Sequence, residues 1–430
     1  MLKGRLFFML VISLGVIILI ILIFMKVNVI IAAPVSLVLV SFMKDFDPLE
    51  VLTGEYVQGV SFFIEDFLFI FLLGAILGKI ISLSGAAETI ANYTIYLLGP
   101  NKGVPAVLLT SALLAYGGIP GFVLVFSIYP ISFHIFREAN LSKKFLPACF
   151  HGGMANFALF MPGSPQVHNI IPMDTLGTSP IAGLVPGIAG AATASLMALV
   201  YLMYRSRYSQ LKGEVFEEDK NFTPTINAQA KANNKPGIVA ATLPLLIVVG
   251  SLSLLGISVI LALTLGIIFG IFLLRDYLSS ILSTVNVGIK DSLMPLLFAA
   301  SAVGFGLTLR AFPAFDVFLQ GTFDLSLNPL ITASIVTNIG AAIMGSASGG
   351  IVLTMSFAGE NFMSYADPEV LHRIIVMASS CIDTVPFNNG YLAILAITGL
   401  SIKKTYLDFF VTTVITPILG LGTALIILLI

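Results

Sequence analysis

Charge is scarce in this chain of 430 residues: aspartate, glutamate, lysine and arginine make up 10 %, against 57 % apolar residues. That balance excludes a soluble globular domain of ordinary composition and points to a polytopic membrane protein. Long polar stretches are few, so no sizeable extramembrane domain is left to hold a catalytic or nucleotide-binding module. Neither Gly-x-x-x-x-Gly-Lys-Ser/Thr nor His-Glu-x-x-His occurs, which argues against ATP-driven transport and against a zinc protease. A net charge of −1 with no basic face excludes nucleic acid as a partner. The only cysteines, Cys149 and Cys381, fall in apolar segments, so no disulfide framework is indicated. No cofactor or metal motif is found, and no enzyme activity is expected.

What is there is apolar sequence interrupted at regular places. A span needs about 20 apolar residues, which leaves room for roughly ten to twelve. Residues 157–178 carry Pro162, Gly163, Ser164, Pro165, Gln166, His168 and Asn169 inside such a run. Proline donates no backbone N–H and glycine tolerates any φ, so a helix entering from Phe145 must break here. Unpaired backbone at membrane depth survives only where protein buries it or water reaches it, the form of a transporter binding site. A second break, Asp383-Thr-Val-Pro-Phe-Asn-Asn-Gly390, occupies the corresponding place later in the chain.

The order of segments predicts an all-α polytopic membrane protein built from two inverted repeats. Each repeat has about five membrane spans, a re-entrant hairpin and a broken helix. Residues 1–204 form the N-terminal membrane repeat, 205–236 a cytoplasmic linker and 237–430 the C-terminal membrane repeat. Leu6–Phe24 reads as the first span rather than a signal peptide, and a second is expected over 28–42. A third is placed at about 60–81, and 83–98 reads as an interfacial amphipathic helix. Hairpins are placed around Gly117–Gly121 and Gly345–Gly350. Ile64-Glu65-Asp66 recurs as Ile289-Lys290-Asp291, and Cys149-Phe150-His151 as Cys381-Ile382-Asp383, at similar offsets. An odd number of spans per repeat inverts the second half. With the linker inside, 16 of the 21 lysines and arginines fall on the cytoplasmic side, and Lys3, Arg5, Lys44, Arg310 and Arg373 outside.

Broken helices present free N–H groups and positive dipole ends, which suit an anion. Candidate substrate-binding residues are Gly118 and Pro120 in the first hairpin, and Gly163, Ser164 and Asn169 at the first break. Ser346 and Ser348 in the second hairpin and Asn388 and Asn389 at the second break complete the set. The helix N-termini are expected after Pro165 and Gly390. No arginine lies in any break, which favours one carboxylate over a di- or tricarboxylate. Coupling needs an ionisable group at membrane depth. His151 and Asp383 are the first candidates for a proton or cation, and His168 and Asp174 come next. A buried histidine bonded to backbone is an equally good reading of His151.

Several motifs then combine: His151-Gly-Gly…Phe160-Met-Pro-Gly-Ser-Pro165, Gly74-Ala-Ile-Leu-Gly78-Lys79…Ser84-Gly85-Ala-Ala-Glu88-Thr-Ile-Ala91, Gly345-Ser-Ala-Ser-Gly-Gly-Ile-Val-Leu-Thr354 and Phe387-Asn-Asn-Gly-Tyr391. From about 60 to 425 the chain resembles the gluconate permease family of proton symporters, within the ion transporter superfamily. The resemblance implies secondary active uptake of a small organic acid across a bacterial or archaeal plasma membrane, usually with protons, by an elevator-like or gated movement. It also implies a possible homodimer. Against the gluconate-type pattern, a glutamate of the first hairpin is replaced around Pro120-Gly121, a histidine before Pro-Gly by Met161, and an aspartate of the second break by Asn388. These departures favour a smaller, less hydroxylated monocarboxylate such as 3-hydroxybutyrate or lactate over gluconate. Sodium coupling is the alternative. A passive channel would need no such hairpins, and an intramembrane serine enzyme built on Ser346 or Ser348 would lack a histidine base in a matching element.

Overall fold

A computed structural model describes residues 14–15, 17–19, 21–23, 25, 27–42, 47–99, 102–217, 235–310, 327–363, 366–384 and 388–430. Among these residues every regular element is helical. In chain order they are α1 Val29–Ser41, α2 Pro48–Leu83, α3 Ala86–Leu98, α4 Gly103–Tyr116, α5 Gly121–Glu138, α6 Leu146–Gly153, α7 Val167–Leu176 and α8 Leu184–Leu211. There follow α9 Ile238–Ser253, α10 Val259–Leu274, α11 Ile281–Arg310, α12 Pro329–Met344, α13 Ala347–Met363, α14 Pro368–Ser379, α15 Asn389–Thr398 and α16 Ile402–Leu429.

Five helical stretches are long and apolar enough to cross a bilayer: α2, α8, α10 with the 3-10 turn that extends it to Tyr277, α11 to Leu309, and α16. At 1.5 Å per residue, 13 residues of α1 and 14 of α4 reach only about 20 Å, short of the roughly 30 Å hydrocarbon core. The segment expected to start near residue 60 is preceded by a short helical stretch from Pro48, joined to it across a kink at Gly54, whose φ −90° and ψ −106° are not helical. The α3 helix buries Ala86, Ala87, Ile90, Ala91 and Thr94 at helical spacing and leaves Tyr93 and Tyr96 exposed, as an amphipathic segment should.

The most extensive helix pairing is α2 with α11. A Cβ on Gly59 would lie 2.9 Å from Gly304 Cα, and one on Gly288 would lie 2.7 Å from Ile76 Cα. Residues rising along α2 therefore meet residues falling along α11, so the two helices are antiparallel and touch backbone to backbone. Another pairing, α8 with α16, is fastened by Arg205, whose Nε donates to Asp408 Oδ1 at 2.9 Å while Tyr201 donates to the same oxygen at 2.8 Å.

The segment expected as the linker, 205–236, begins as helix. Helix α8 runs on through Arg205 and Arg207 to Leu211. The chain then docks on the α5–α6 connection: Lys144 and Ser209 both bond Glu214, and Phe216 N–H donates to Asn140 Oδ1 at 3.3 Å. Lys220 and Lys231, also placed in the linker, lie outside the described residues.

Candidate functional site: a cavity at the two breaks

The first hairpin is α4–Gly117-Gly118-Ile119-Pro120–α5, and its tip leans on the first break: a Cβ on Gly118 would lie 2.9 Å from Pro165 Cγ. The helix entering that break, α6, ends in a π-turn, Met154–Ala158, and α7 starts two residues after Pro165, with Gln166 at its N-cap. Between them the freed carbonyls find side chains. Tyr116 hydroxyl donates to Pro162 O at 2.8 Å, Ser253 to Gly163 O at 3.2 Å, and Arg373 Nη1 reaches Phe160 O at 3.5 Å. Gln166 uses its amide N–H groups on Ala115 O and Ile119 O, at the end of α4. Gly163 has φ +85°, and a Cβ there would lie 2.5 Å from Ser253 Oγ; only glycine fits.

The second hairpin, α12–Gly345-Ser346–α13, is tied to the second break by Asn388. Its Nδ2 donates to Gly345 O and Asp383 O, both at 3.1 Å, and its Oδ1 accepts from Tyr391 N–H at 2.9 Å. Helix α15 therefore begins at Asn389, capped by Asn388, rather than after Gly390 as expected. The side chain of Asn389 lies outside the described residues. Ser346 caps α13, accepting from Gly349 N–H at 3.3 Å.

Both hairpins and both breaks line one cavity of about 580 Å³. Its wall includes the first residues of four helices: Pro120 and Gly121 at α5, Gln166 to His168 at α7, Ser346 to Ser348 at α13, and Asn388 and Gly390 at α15. Each N-terminus carries about half a positive charge and several N–H groups without helical partners. His151 and Asp383 are each 5 % exposed and also line the cavity. Among the described residues, His151 Nδ1, His168 Nδ1 and Asp383 Oδ1 are buried atoms with no hydrogen-bond partner. The same wall carries Lys290, which is exposed, and Asp291, which pairs with Lys79 at 2.7 Å. Phe71, Leu124, Phe150, Met294, Phe298 and Ile394 supply much of the apolar surface.

Of the residues picked from sequence, the structure brings together Pro120, His151, His168, Ser346, Ser348, Asp383 and Asn388 on this wall. Gly118 lines a smaller recess of about 60 Å³ beside Pro165. Gly163, Ser164 and Asn169 are not part of the lining, and Asp174 lies on an exposed part of α7. Asn169 is turned away from it. Its Oδ1 faces Arg373 Nη2 and His372 Nε2, each at 3.0 Å, and its Nδ2 donates to Pro180 O. Sequence reasoning gave Lys290, His372 and Arg373 no role in the site, and counted Arg373 with the cations on the outer side. The arginine is fully buried. The available signal was Glu369-x-x-His372-Arg373, three polar residues on one helical face of an otherwise apolar segment.

The family model for GntP family permeases matches residues 7–430. The chain belongs to the GntP permease family. The permease is also 30 % identical over 435 residues to the uncharacterized transporter YxjC of Bacillus subtilis (strain 168), covering 90 % of this chain and 92 % of that one. This GntP family permease is thus a multi-pass membrane protein and a secondary transporter, not an enzyme.

Proposed function

We propose that this permease carries a small organic monocarboxylate, poor in hydroxyls, together with a proton, and that the 580 Å³ cavity is where it binds. The carrying observation is one wall that holds four helix N-termini and three buried, unpartnered polar atoms, on His151, His168 and Asp383. The N-termini stabilise the carboxylate. Asp383, with His151, takes the coupling proton, because a buried carboxylate with no cation beside it among the described residues is costly unless protonated. Lys290 draws the anion to the wall.

The inventory of free hydrogen-bonding groups supports a substrate with few hydroxyls. Gln166 and Asn388 have their amide N–H groups committed to backbone carbonyls. Side-chain partners for hydroxyls are then the mutually bonded Ser346 and Ser348, Gln166 Oε1, the two histidines, Asp383, and the charged pair of neighbours Lys290 and Asp291. A polyol acid such as gluconate would leave several hydroxyls unpaired against apolar surface, at about 1–3 kcal/mol each. A short acid such as 3-hydroxybutyrate or lactate would not.

The repeat organisation belongs to the same reading. Residues 1–204 and 237–430 are two inverted repeats, in which α4/α5 and α12/α13 are re-entrant hairpins. The antiparallel α2–α11 contact supports this, because α2 and α11 hold the matching Glu65-Asp66 and Lys290-Asp291 segments.

The test is uptake by proteoliposomes of labelled gluconate, 3-hydroxybutyrate, lactate and citrate under an inward proton gradient, repeated with a sodium gradient. Accumulation of a short monocarboxylate driven by protons and abolished by an ionophore is the expected result. Sodium dependence would overturn proton coupling, preferential gluconate or citrate uptake would overturn the substrate class, and downhill equilibration alone would overturn symport.

A further inference from the structure

A fully buried arginine in a membrane protein needs an explanation, and among the described residues Arg373 has no carboxylate as a hydrogen-bond partner. Its Nε donates to Ala182 O at 2.9 Å, Nη2 to Asn169 Oδ1 at 3.0 Å and Nη1 to Phe160 O at 3.5 Å. All three acceptors lie within residues 160–182, on the two sides of the first break and on α7 itself. The nearest acid on its own helix, Glu369, is occupied: its two oxygens accept from Ser179 N–H at 2.8 Å and Ser179 hydroxyl at 2.9 Å. His372 completes the set. Asn169 Nδ2 is committed to Pro180 O, so Asn169 Oδ1 is the acceptor facing His372 Nε2. The ring proton is thereby assigned to Nε2, and Nδ1 accepts from Thr178 hydroxyl at 2.6 Å.

One and a half turns of α14 thus grip the entry, the helix and the exit of the first break. Helix α14 runs on from this grip into the second break, where Asp383 lies. His168, which lines the cavity, is the immediate neighbour of the gripped Asn169. We propose that Arg373, with His372, is a positioning residue for the substrate cavity: it fixes where α7 begins and so where His168 and the α7 N-terminus stand relative to Asp383. Guanidinium is suited to this because one rigid planar group offers donors in several directions at once, which ammonium cannot do. Removing it frees the α7 N-terminus to shift, and a shift of even 1 Å weakens an anion site built from oriented N–H groups.

The experiment compares Arg373→Lys with Arg205→Lys, the second altering a cation pin on α8 that lines no part of the cavity. Purified permease is reconstituted in proteoliposomes, and labelled 3-hydroxybutyrate uptake is measured against concentration and pH, alongside Tm in detergent. Arg373→Lys is expected to raise KM about tenfold and to displace the pH profile, while Arg205→Lys lowers Tm with KM and pH profile unchanged. A Tm loss for Arg373→Lys with wild-type KM and pH profile would overturn the proposal. Should Arg373→Lys fail to fold, Thr178→Val, which removes only the hydroxyl on His372, decides: KM raised about threefold supports the pin, and wild-type KM overturns it. The proposal rests on the cavity being the anion site. If wild-type permease accumulates no 3-hydroxybutyrate, the transport reading fails separately, and the shift of Tm by added 3-hydroxybutyrate in wild type and Thr178→Val still tests the pin.

Discussion

The first break, near residues 159–166, is held from far away in sequence, and the second, near 380–388, largely by its neighbours. Carbonyls of the first are taken by Tyr116, Ser253 and Arg373, at separations of 46, 90 and 213 residues. At the second, Ser379, Ser380 and Cys381 bond back to the carbonyls of Val376 and Met377 three or four residues earlier. Asn388 bonds Asp383 five residues away; among the described residues its contact with Gly345, the Thr384–Thr413 pair and the Ala347 backbone bond to the Asp383 carboxyl reach further. The second break also leaves Asp383 Oδ1 unpartnered. A long-range clamp makes a segment rigid relative to the rest of the molecule. A turn closed largely by its neighbours, with one carboxylate oxygen unpartnered among the described residues, leaves an acceptor open at membrane depth.

Asp383→Asn should give the largest effect and break the comparison at its reactive side. Proton-driven accumulation is expected to fall on the order of a hundredfold or more, while exchange of labelled for unlabelled acid persists; uptake against both regimes separates the two. At the clamped side, Gly163→Ala forces a side chain into positive φ and onto Ser253. It is expected to cost about 2 kcal/mol or more, read as a fall in Tm that Ser253→Ala partly restores. Asn388→Ala removes two donors and a helix cap at once, and should cost about 1–2 kcal/mol with a higher KM. Lys290→Gln leaves both breaks intact and should raise KM about threefold at low ionic strength, the difference shrinking as salt is added.

The smallest effect lies outside both breaks. Lys144 and Ser209 hold the Glu214 carboxyl below the usual carboxylate range. A depressed folded-state pKa stabilises above the ordinary value and is lost as pH falls through the folded one. Glu214→Gln is therefore expected to lower Tm by roughly a degree at pH 7, and by nothing once pH is well below about 4.

What could be read from the sequence follows the same division. The prolines and glycines that stop helices, and Asn388 and Asp383 beside them, act over a few residues, so the chain announces them. The pairing of Arg373 with Ala182, or of Tyr116 with Pro162, depends on how helices pack. Hydropathy places each segment in the membrane without saying which face meets which. Asn169 shows the limit well. Its residue type and position beside His168 suit a ligand, but helical geometry turns consecutive side chains about 100° apart, and Asn169 faces the clamp while His168 faces the cavity. The π-turns at Met154–Ala158 and Val411–Ile415 were equally hidden. They insert one residue into a helix whose composition reads as continuous, and there Asn156 from one turn bonds Thr412 and Thr416 across the other.

The backbone contact between α2 and α11 has a mechanical consequence. Helices separated by side chains can slip by exchanging one interdigitated arrangement for another. Helices that meet at Gly59, Gly288 and Gly304 cannot: moving one by a residue drives a Cβ into the other's main chain. The pair therefore behaves as a single beam with one register. Phe71 on one helix and Met294 and Phe298 on the other line the cavity, so the fixed register of that beam also fixes where this apolar side stands opposite Pro120, His151 and Asp383.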